Sequence, residues 1–261
     1  WVVASDYSED LKIGAEIVKY QADAYRRLRN SLRYILGNLN GFKEAERIDV
    51  SDMPELERWI LHRLTEMDVL IRKCIDEYDF HSMFTALHNF CAVDLSSFYF
   101  DVRKDALYCD APGSNRRRAA RTVLDHLFSC LTAWLAPVIC FTAEEAWRAR
   151  YPGDDESVHL RTFPDIPSDW EDLGLAVKWE KIRAVRRVVT GALEIERTEK
   201  RIGSSLQAAP VISVSEDYTT SLHGVDLAEI CITSGATLNV GEGEGFSLDD
   251  VPGVTVVPAP A

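Results

Sequence analysis

The sequence predicts a mainly α-helical protein: a helical bundle followed by a small α/β appendix. Across residues 13–203 apolar side chains recur at i, i+3 and i+4, the spacing that gathers them on one helix face. Beyond Gly203 the texture changes to short runs of alternating β-branched residues separated by turn formers. Charge changes at the same place. The formal net charge is -13, yet from Ile202 onward there are eight acids and no Lys or Arg, which leaves -5 for residues 1–201.

At 261 residues the chain can bury a core without staples. Its composition, 46% hydrophobic and 27% charged, is that of a soluble globular protein. No apolar run approaches the roughly 18–20 residues of a membrane span, and no signal-peptide pattern opens the chain. A cytoplasmic protein without a membrane partner is expected. The six cysteines form no C-x-x-C and have no histidine at ligand spacing, so they read as reduced, mostly buried small hydrophobes rather than metal ligands or disulfides.

The segment Trp1 to Leu11 has no capping of its own and reads as cut from a longer polypeptide. A first helix is expected from about Gly14 to Leu36, ended by Gly37. Within it Tyr25, Leu28, Leu32 and Ile35 fall on one side and Arg26, Arg29, Asn30 and Arg33 roughly opposite. The run from Tyr25 to Leu36 holds four arginines and no acid; a face needing only solubility mixes signs, so this one suits an anion. After an acidic linker, Ser51 and Pro54 mark a second start, and Leu56, Trp59, Ile60, Leu64, Met67, Leu70, Ile71 and Cys74 supply its buried stripe. A third helix is expected from about His81 to Val102.

Ser114 caps a fourth helix whose first turns carry Arg116, Arg117, Arg118 and Arg121 before its apolar residues turn inward and Pro137 breaks it. Thr142-Ala143-Glu144-Glu145 reads as a capping box opening a short helix. An extended link from Val158 to Pro164 leads to a long helix from about Leu173 to Arg201, with Arg183, Arg186, Arg187 and Arg197 opposite Ile182, Val185, Val189 and Ala192. Strands are expected at Val211 to Val214, Ile230 to Thr233, Ala236 to Val240 and Val254 to Val257.

Catalytic patterns are missing: there is no H-E-x-x-H, no pair of E-x-x-H motifs, no P-loop and no G-x-S-x-G. Gly241 to Gly245 carries two carboxylates that would repel phosphate and reads as a surface turn. The six histidines lie in different elements without suggestive partners. Phe98-Tyr99-Phe100 reads first as core, with an exposed stacking platform as the alternative. The three arginine clusters are therefore the candidate function. Brought together, they would make an electropositive strip on an acidic body, which suits a structured RNA because the negative surroundings penalise misdocking.

Several motifs in order then resemble the class I aminoacyl-tRNA synthetases of bacteria, specifically their isoleucine branch. Trp1 to Leu11 is similar to the segment where the catalytic domain hands over to the anticodon-binding bundle, and Tyr25-Arg26-Arg27-Leu28-Arg29-Asn30 through Gly37-Asn38-Leu39 to the first bundle helix. Further likeness lies at Lys104 to Tyr108, Phe141 to Trp147, Val158-His159-Leu160 with Phe163-Pro164, and, most specific for the isoleucine branch, Lys200 to Ala208.

The resemblance implies the end of a catalytic junction over 1–12, an anticodon-binding helical bundle over 13–203 and a partial C-terminal α/β junction domain over 204–261. It further implies an isoleucine-specific tRNA as partner and a monomer. Arg26, Arg29, Asn30 and Arg33 would hold the RNA backbone, with Arg183, Arg186 and Arg187 as a second set. Neither H-x-G-H nor K-M-S-K-S is present, nor is an editing insertion, so the piece should be inactive alone. The parent would use ATP with magnesium, and its zinc module would lie outside this chain. The alternatives are the bundle of a valine, leucine or methionine enzyme, and a helical scaffold for protein partners.

Overall fold

The computed structural model describes residues 1–153 and 155–260. They form two compact units, Trp1–Asp172 and Leu173–Ala261.

In the first unit, α1 (Ala15–Asn38), α2 (Glu55–Asp76) and α6 (Asn115–Leu135) supply most of the core. Leu28, Leu32 and Ile35 of α1, Ile60, Leu64 and Ile71 of α2, and Leu127, Phe128, Leu131 and Trp134 of α6 are all sealed from solvent. α6 is the central element, packing on α1, α2 and α7 (Cys140–Arg150). Ser114 caps it as expected, its Oγ accepting from the Arg117 amide at 3.1 Å.

Other expectations shift. Tyr25 and Leu70 are each 39% exposed rather than core-facing. α1 runs past Gly37 to Asn38, and the left-handed residue of the turn is Gly41, at φ +68°. Thr142 and Glu145 form no capping box: α7 begins earlier, at Cys140, with Ile139 at its N-cap. Thr142 Oγ1 instead meets the Tyr25 hydroxyl at 2.9 Å. The neighbouring Glu144 accepts from the Val158 amide at 2.9 Å, where Val158–Leu160 is a 3₁₀ turn rather than extended chain.

The third predicted helix exists but is not uniform. α3 (Phe80–Asn89) widens into a π-helical stretch, Phe90–Tyr99, and returns to α geometry in α4 (Phe100–Val102). Its buried residues Phe90, Cys91, Asp94, Leu95, Phe98 and Tyr99 repeat every four positions. An ideal α-turn of 3.6 residues would let that stripe drift, whereas wider i→i+5 turns hold it on one side. Phe98, Tyr99 and Phe100 are consequently core, which removes the exposed-platform alternative. The Tyr99 hydroxyl and the Arg103 guanidinium both bond the fully buried Glu57 of α2, Arg103 bidentately at 2.6 and 2.8 Å. α5 (Lys104–Tyr108) then leads to α6.

In the second unit, α8 (Leu173–Thr198) buries Trp179, Ile182, Val185, Val189 and Ala192 and packs on α9 (Glu216–Leu222), α10 (Leu227–Cys231) and β3 (Val254–Val257). The sheet has three strands in the order β2-β1-β3: β1 (Val211–Val214) pairs in parallel with β2 (Thr237–Val240) and antiparallel with β3 (Val254–Val257). The fourth expected strand, Ile230 to Thr233, is instead the end of α10 and its left-handed exit at Ile232. Asp226 caps that helix by accepting from the Glu229 amide at 3.0 Å, a local bond that outweighs the β preference of the short Ile-Cys-Ile run. α9 has no counterpart in the sequence reading. A methyl group at Gly191 would lie 2.8 Å from the Phe246 ring, so this glycine is what lets the ring sit against α8.

Candidate nucleic-acid interface

Helix α1 presents its basic face to solvent. Arg26, Arg27, Arg29, Asn30 and Arg33 are exposed, and the rise per residue sets Arg26 and Arg33 about 10 Å apart along the axis. Arg26 bonds Asp23 one turn back, with side chains 69% and 51% exposed. Arg29 reaches Glu145 of α7 at 3.6 Å. Arg27 and Arg33 have no ion-pair partner among the described residues. Exposed pairs of this kind hold about 0–1 kcal/mol, so a phosphate can replace the carboxylate at little cost.

The α6 cluster is not part of such a face. Arg116 grips Asp110, Arg117 donates to the Leu107 carbonyl, and Arg118 donates to the carbonyls of Ala45, Glu46 and Arg47. Arg121, 5% exposed, donates to the Asn38 and Asn40 carbonyls at 3.1 and 2.9 Å and pairs with Glu46. Burial pulls its pKa below the usual arginine value despite that carboxylate. Of the four, Arg121 closes the carbonyl end of α1, where backbone acceptors have no helical partner, and Arg118 holds the 45–47 loop beyond it. The electropositive strip expected from three clusters therefore loses its middle member.

Arg183, Arg186 and Arg187, the second set expected to hold RNA, all belong to the second unit. Arg186 Nε donates to the Ile230 carbonyl at 2.9 Å, and Arg187 pairs with Asp250 at 2.8 Å with both side chains more than half exposed. Arg183 is half-buried.

One feature of the first unit went unmarked in the sequence. A cleft of about 600 Å³ opens at the C-terminal end of α1, lined by Arg33, Leu36, Gly37 and Leu39–Phe42 on one side and by Ala149, Arg150 and Tyr151 on the other. Its floor is Phe42, whose ring lies 5.3–5.8 Å from the guanidinium carbons of Arg47, Arg121 and Arg150. Its far wall ends a column of rings: Phe128 stacks on Trp147, and Trp147 meets Tyr151 at 4.3 Å. The only sequence signal was Asn40-Gly41 next to an aromatic, which reads equally as an ordinary turn.

Comparison with known proteins gives the class of this helical fold: residues 57–213 match the family of anticodon-binding domains of tRNA ligases. The chain belongs to that family. The match begins inside α2 and extends into β1, so α1 with its basic face precedes it.

Longer relatives are specific. The chain is 53% identical over 259 residues to the isoleucine–tRNA ligase of Agrobacterium fabrum, covering 98% of this chain and 27% of that protein. It is 53% identical over 261 residues to that of Brucella abortus (strain 2308), covering 99% and 27%, and 47% identical over 264 residues to that of Bartonella henselae, covering 100% and 27%. The chain thus spans about a quarter of the length of these relatives.

Proposed function

We propose that this chain is the tRNA-holding part of an isoleucine–tRNA ligase, a cytoplasmic, monomeric enzyme that attaches isoleucine to its tRNA using ATP with magnesium. The carrying observation is a face of single sign, exposed and incompletely paired, on α1 of a -13 chain from the anticodon-binding family. The names of the relatives support isoleucine over valine, leucine or methionine. Functionally, residues 13–203 act as the anticodon-binding bundle and 204–261 as a junction appendix, with 1–12 entering from the catalytic part. The ligation chemistry is carried by the remaining length of the enzyme, and the chain alone charges no tRNA.

In this reading Arg26, Arg29, Asn30 and Arg33 hold phosphates along the RNA backbone and set its register, which positions the RNA without reading its sequence. Arg183, Arg186 and Arg187 add a second set, Arg186 doing so while keeping its bond to the Ile230 carbonyl. The test is binding of isoleucine tRNA across a salt series. Replacing Arg29 and Arg33 together by alanine should weaken binding at 50 mM salt and flatten the log–log salt slope by about 1.5, the release expected for two phosphate contacts. An unchanged affinity and slope would leave this face with a structural role alone.

A further inference from the structure

The three-stranded sheet of the second unit closes one of its edges and leaves the other open. Beyond β3, Phe246 exchanges two backbone bonds with Val256, each at 2.9 Å. The chain reaches that place from β2 by crossing the sheet at Gly243, where an added Cβ would collide with the Ser213 and Thr255 side chains. β2 has no such neighbour: outside β1 it pairs with no segment among the described residues, and Thr237, Leu238, Asn239 and Val240 are all exposed. The Thr237 and Gly241 amides donate to the Pro210 and Val214 carbonyls at 3.0 and 2.8 Å. Backbone groups alternate along a strand, so Thr237, Asn239 and Gly241 serve β1 while the N–H and C=O of Leu238 and Val240 point to the open side. Sheet edges are ordinarily blunted by lysine, proline or a bulge, and β2 carries none of these.

The charge around β2 selects the strand that fits. β1 and β2 run parallel and β3 runs against them, so the end of the sheet reached by Val240 also carries Glu216 and Asp217 after β1 and Asp249 and Asp250 before β3. Glu242 follows directly on the Gly241 turn, and all five acids are exposed. Only Asp250 has an ion pair among the described residues, with Arg187. Lys181 lies at the same end, bonded to the Asp217 carbonyl at 2.6 Å, and the two bases leave that end net negative.

We propose that the open edge of β2 accepts a cationic, extended protein segment as a fourth strand. Its main chain bonds to Leu238 and Val240, its alternate apolar residues lie on the face of those two side chains, and its Lys or Arg residues stand beside Glu242. Main-chain bonds along an edge give affinity, and the flanking side chains give selectivity. A second copy of the chain and an RNA backbone are both disfavoured, because each would bring negative charge to an acid-lined edge. Nothing in this assignment depends on RNA.

The 261-residue chain is titrated with peptides of alternating valine and threonine that carry a pair of lysines, placed first in one peptide and last in another because an added strand can run either way. Saturable binding of one of them is expected, weaker at high salt. Hydrogen exchange should slow at the Leu238 and Val240 amides and stay as it was at Asn239, which already bonds to β1. A peptide with serines in place of the lysines should bind roughly three- to tenfold more weakly, and Glu242→Lys should weaken the lysine peptide by a similar factor while leaving the serine peptide unchanged. Val240→Pro removes an outward donor and keeps the ladder to β1, and should cost either peptide roughly three- to tenfold. Glu242→Lys, in an exposed turn, supplies the test if the proline variant fails to fold.

No saturable binding by either lysine peptide, or slowed exchange elsewhere without slowing at Leu238 and Val240, overturns the proposal. Equal affinity for the lysine and serine peptides overturns its choice of a cationic partner. Concentration-dependent dimers that Val240→Pro dissolves would give the edge to a second copy and overturn it as well.

Discussion

On α6, Arg116, Arg117, Arg118 and Arg121 all bond within the protein, to Asp110, to Glu46 and to backbone carbonyls, whereas on α1 Arg27 and Arg33 make no such bond among the described residues and Arg26 and Arg29 touch only exposed carboxylates. The two clusters look alike in sequence. They differ in where their helices place them. The first turns of α6 are the positive end of its dipole, a poor site for four cations unless partners offset it. The carbonyl end of α1 and the loop after it are that partner for Arg118 and Arg121, since their acceptors have no helical donors of their own, while Asp110 and the Leu107 carbonyl serve Arg116 and Arg117. The α1 arginines sit in the later turns of their helix, where the dipole tolerates them and no carbonyl end faces them. The fold thus uses the α6 arginines for internal bonds and leaves those of α1 exposed.

The buried extreme of this contrast is Arg103, 3% exposed and bonded bidentately to the fully buried Glu57. Glu57→Ala should have the largest effect, a loss of about 3–5 kcal/mol in urea unfolding, because it takes the bidentate carboxylate away from a buried guanidinium. Replacing both partners at once, Glu57→Leu with Arg103→Met, should recover much of that loss. A single variant as stable as the original would mean that burial does not set the role of an arginine here.

A second test lies beside the α6 clamp. Arg47 Nη1 donates to His126 Nε2 at 3.2 Å, so His126 is neutral with its proton on Nδ1. Burial, and then the Arg47 charge, push its pKa down to about 4. The unfolded chain titrates near 6.5 and so takes up the proton first. The contribution is complete above pH 6.5 and is lost as pH falls toward 4, by roughly 2–3 kcal/mol. His126→Gln should flatten the melting temperature across that window; an unaltered pH profile would place the titration elsewhere.

Arg121→Met should cost about 2 kcal/mol, as the Asn38 and Asn40 carbonyls and Glu46 lose a charged donor. It should leave the RNA salt slope unaffected, since its charge is already matched by Glu46. A change in slope with no loss of stability would reverse the distinction between α6 and α1.

Helices α1, α2, α6 and α8 were legible because each carries a long apolar stripe, and periodicity over many residues survives local exceptions such as Tyr25 and Leu70, whereas α7 was read from a capping box that does not form. The π-helical turn was not, because its four-residue repeat over Phe90–Tyr99 is too short to separate from 3.6 by eye. Short elements failed for a related reason: Ile230 to Thr233 has strand composition, and only the Asp226 cap turns it into a helix end. At the candidate site, helical spacing alone located the row from Arg26 to Arg33. It could not locate the cleft, because Asn40 and Tyr151 are far apart in sequence and meet only through the packing of α7 on α1. Nor could sequence reveal that the α6 arginines are used internally, since their acceptors are mostly backbone carbonyls, which every residue has.

The smallest effect separates the two clusters most sharply. Arg29→Gln with Arg33→Gln removes two charges from an exposed surface where one has a single 3.6 Å pair and the other has no ion-pair partner among the described residues. Exposed pairs of that geometry contribute about 0–1 kcal/mol, and relieving the repulsion between the two arginines, four residues apart, returns a few tenths. The two terms oppose, so unfolding free energy should stay within about 0.5 kcal/mol of the original. RNA affinity should nonetheless fall, with the flatter salt slope set out above. A loss of stability near that of Arg121→Met would show that the α1 face is bonded within the protein after all, and would move it into the same class as α6.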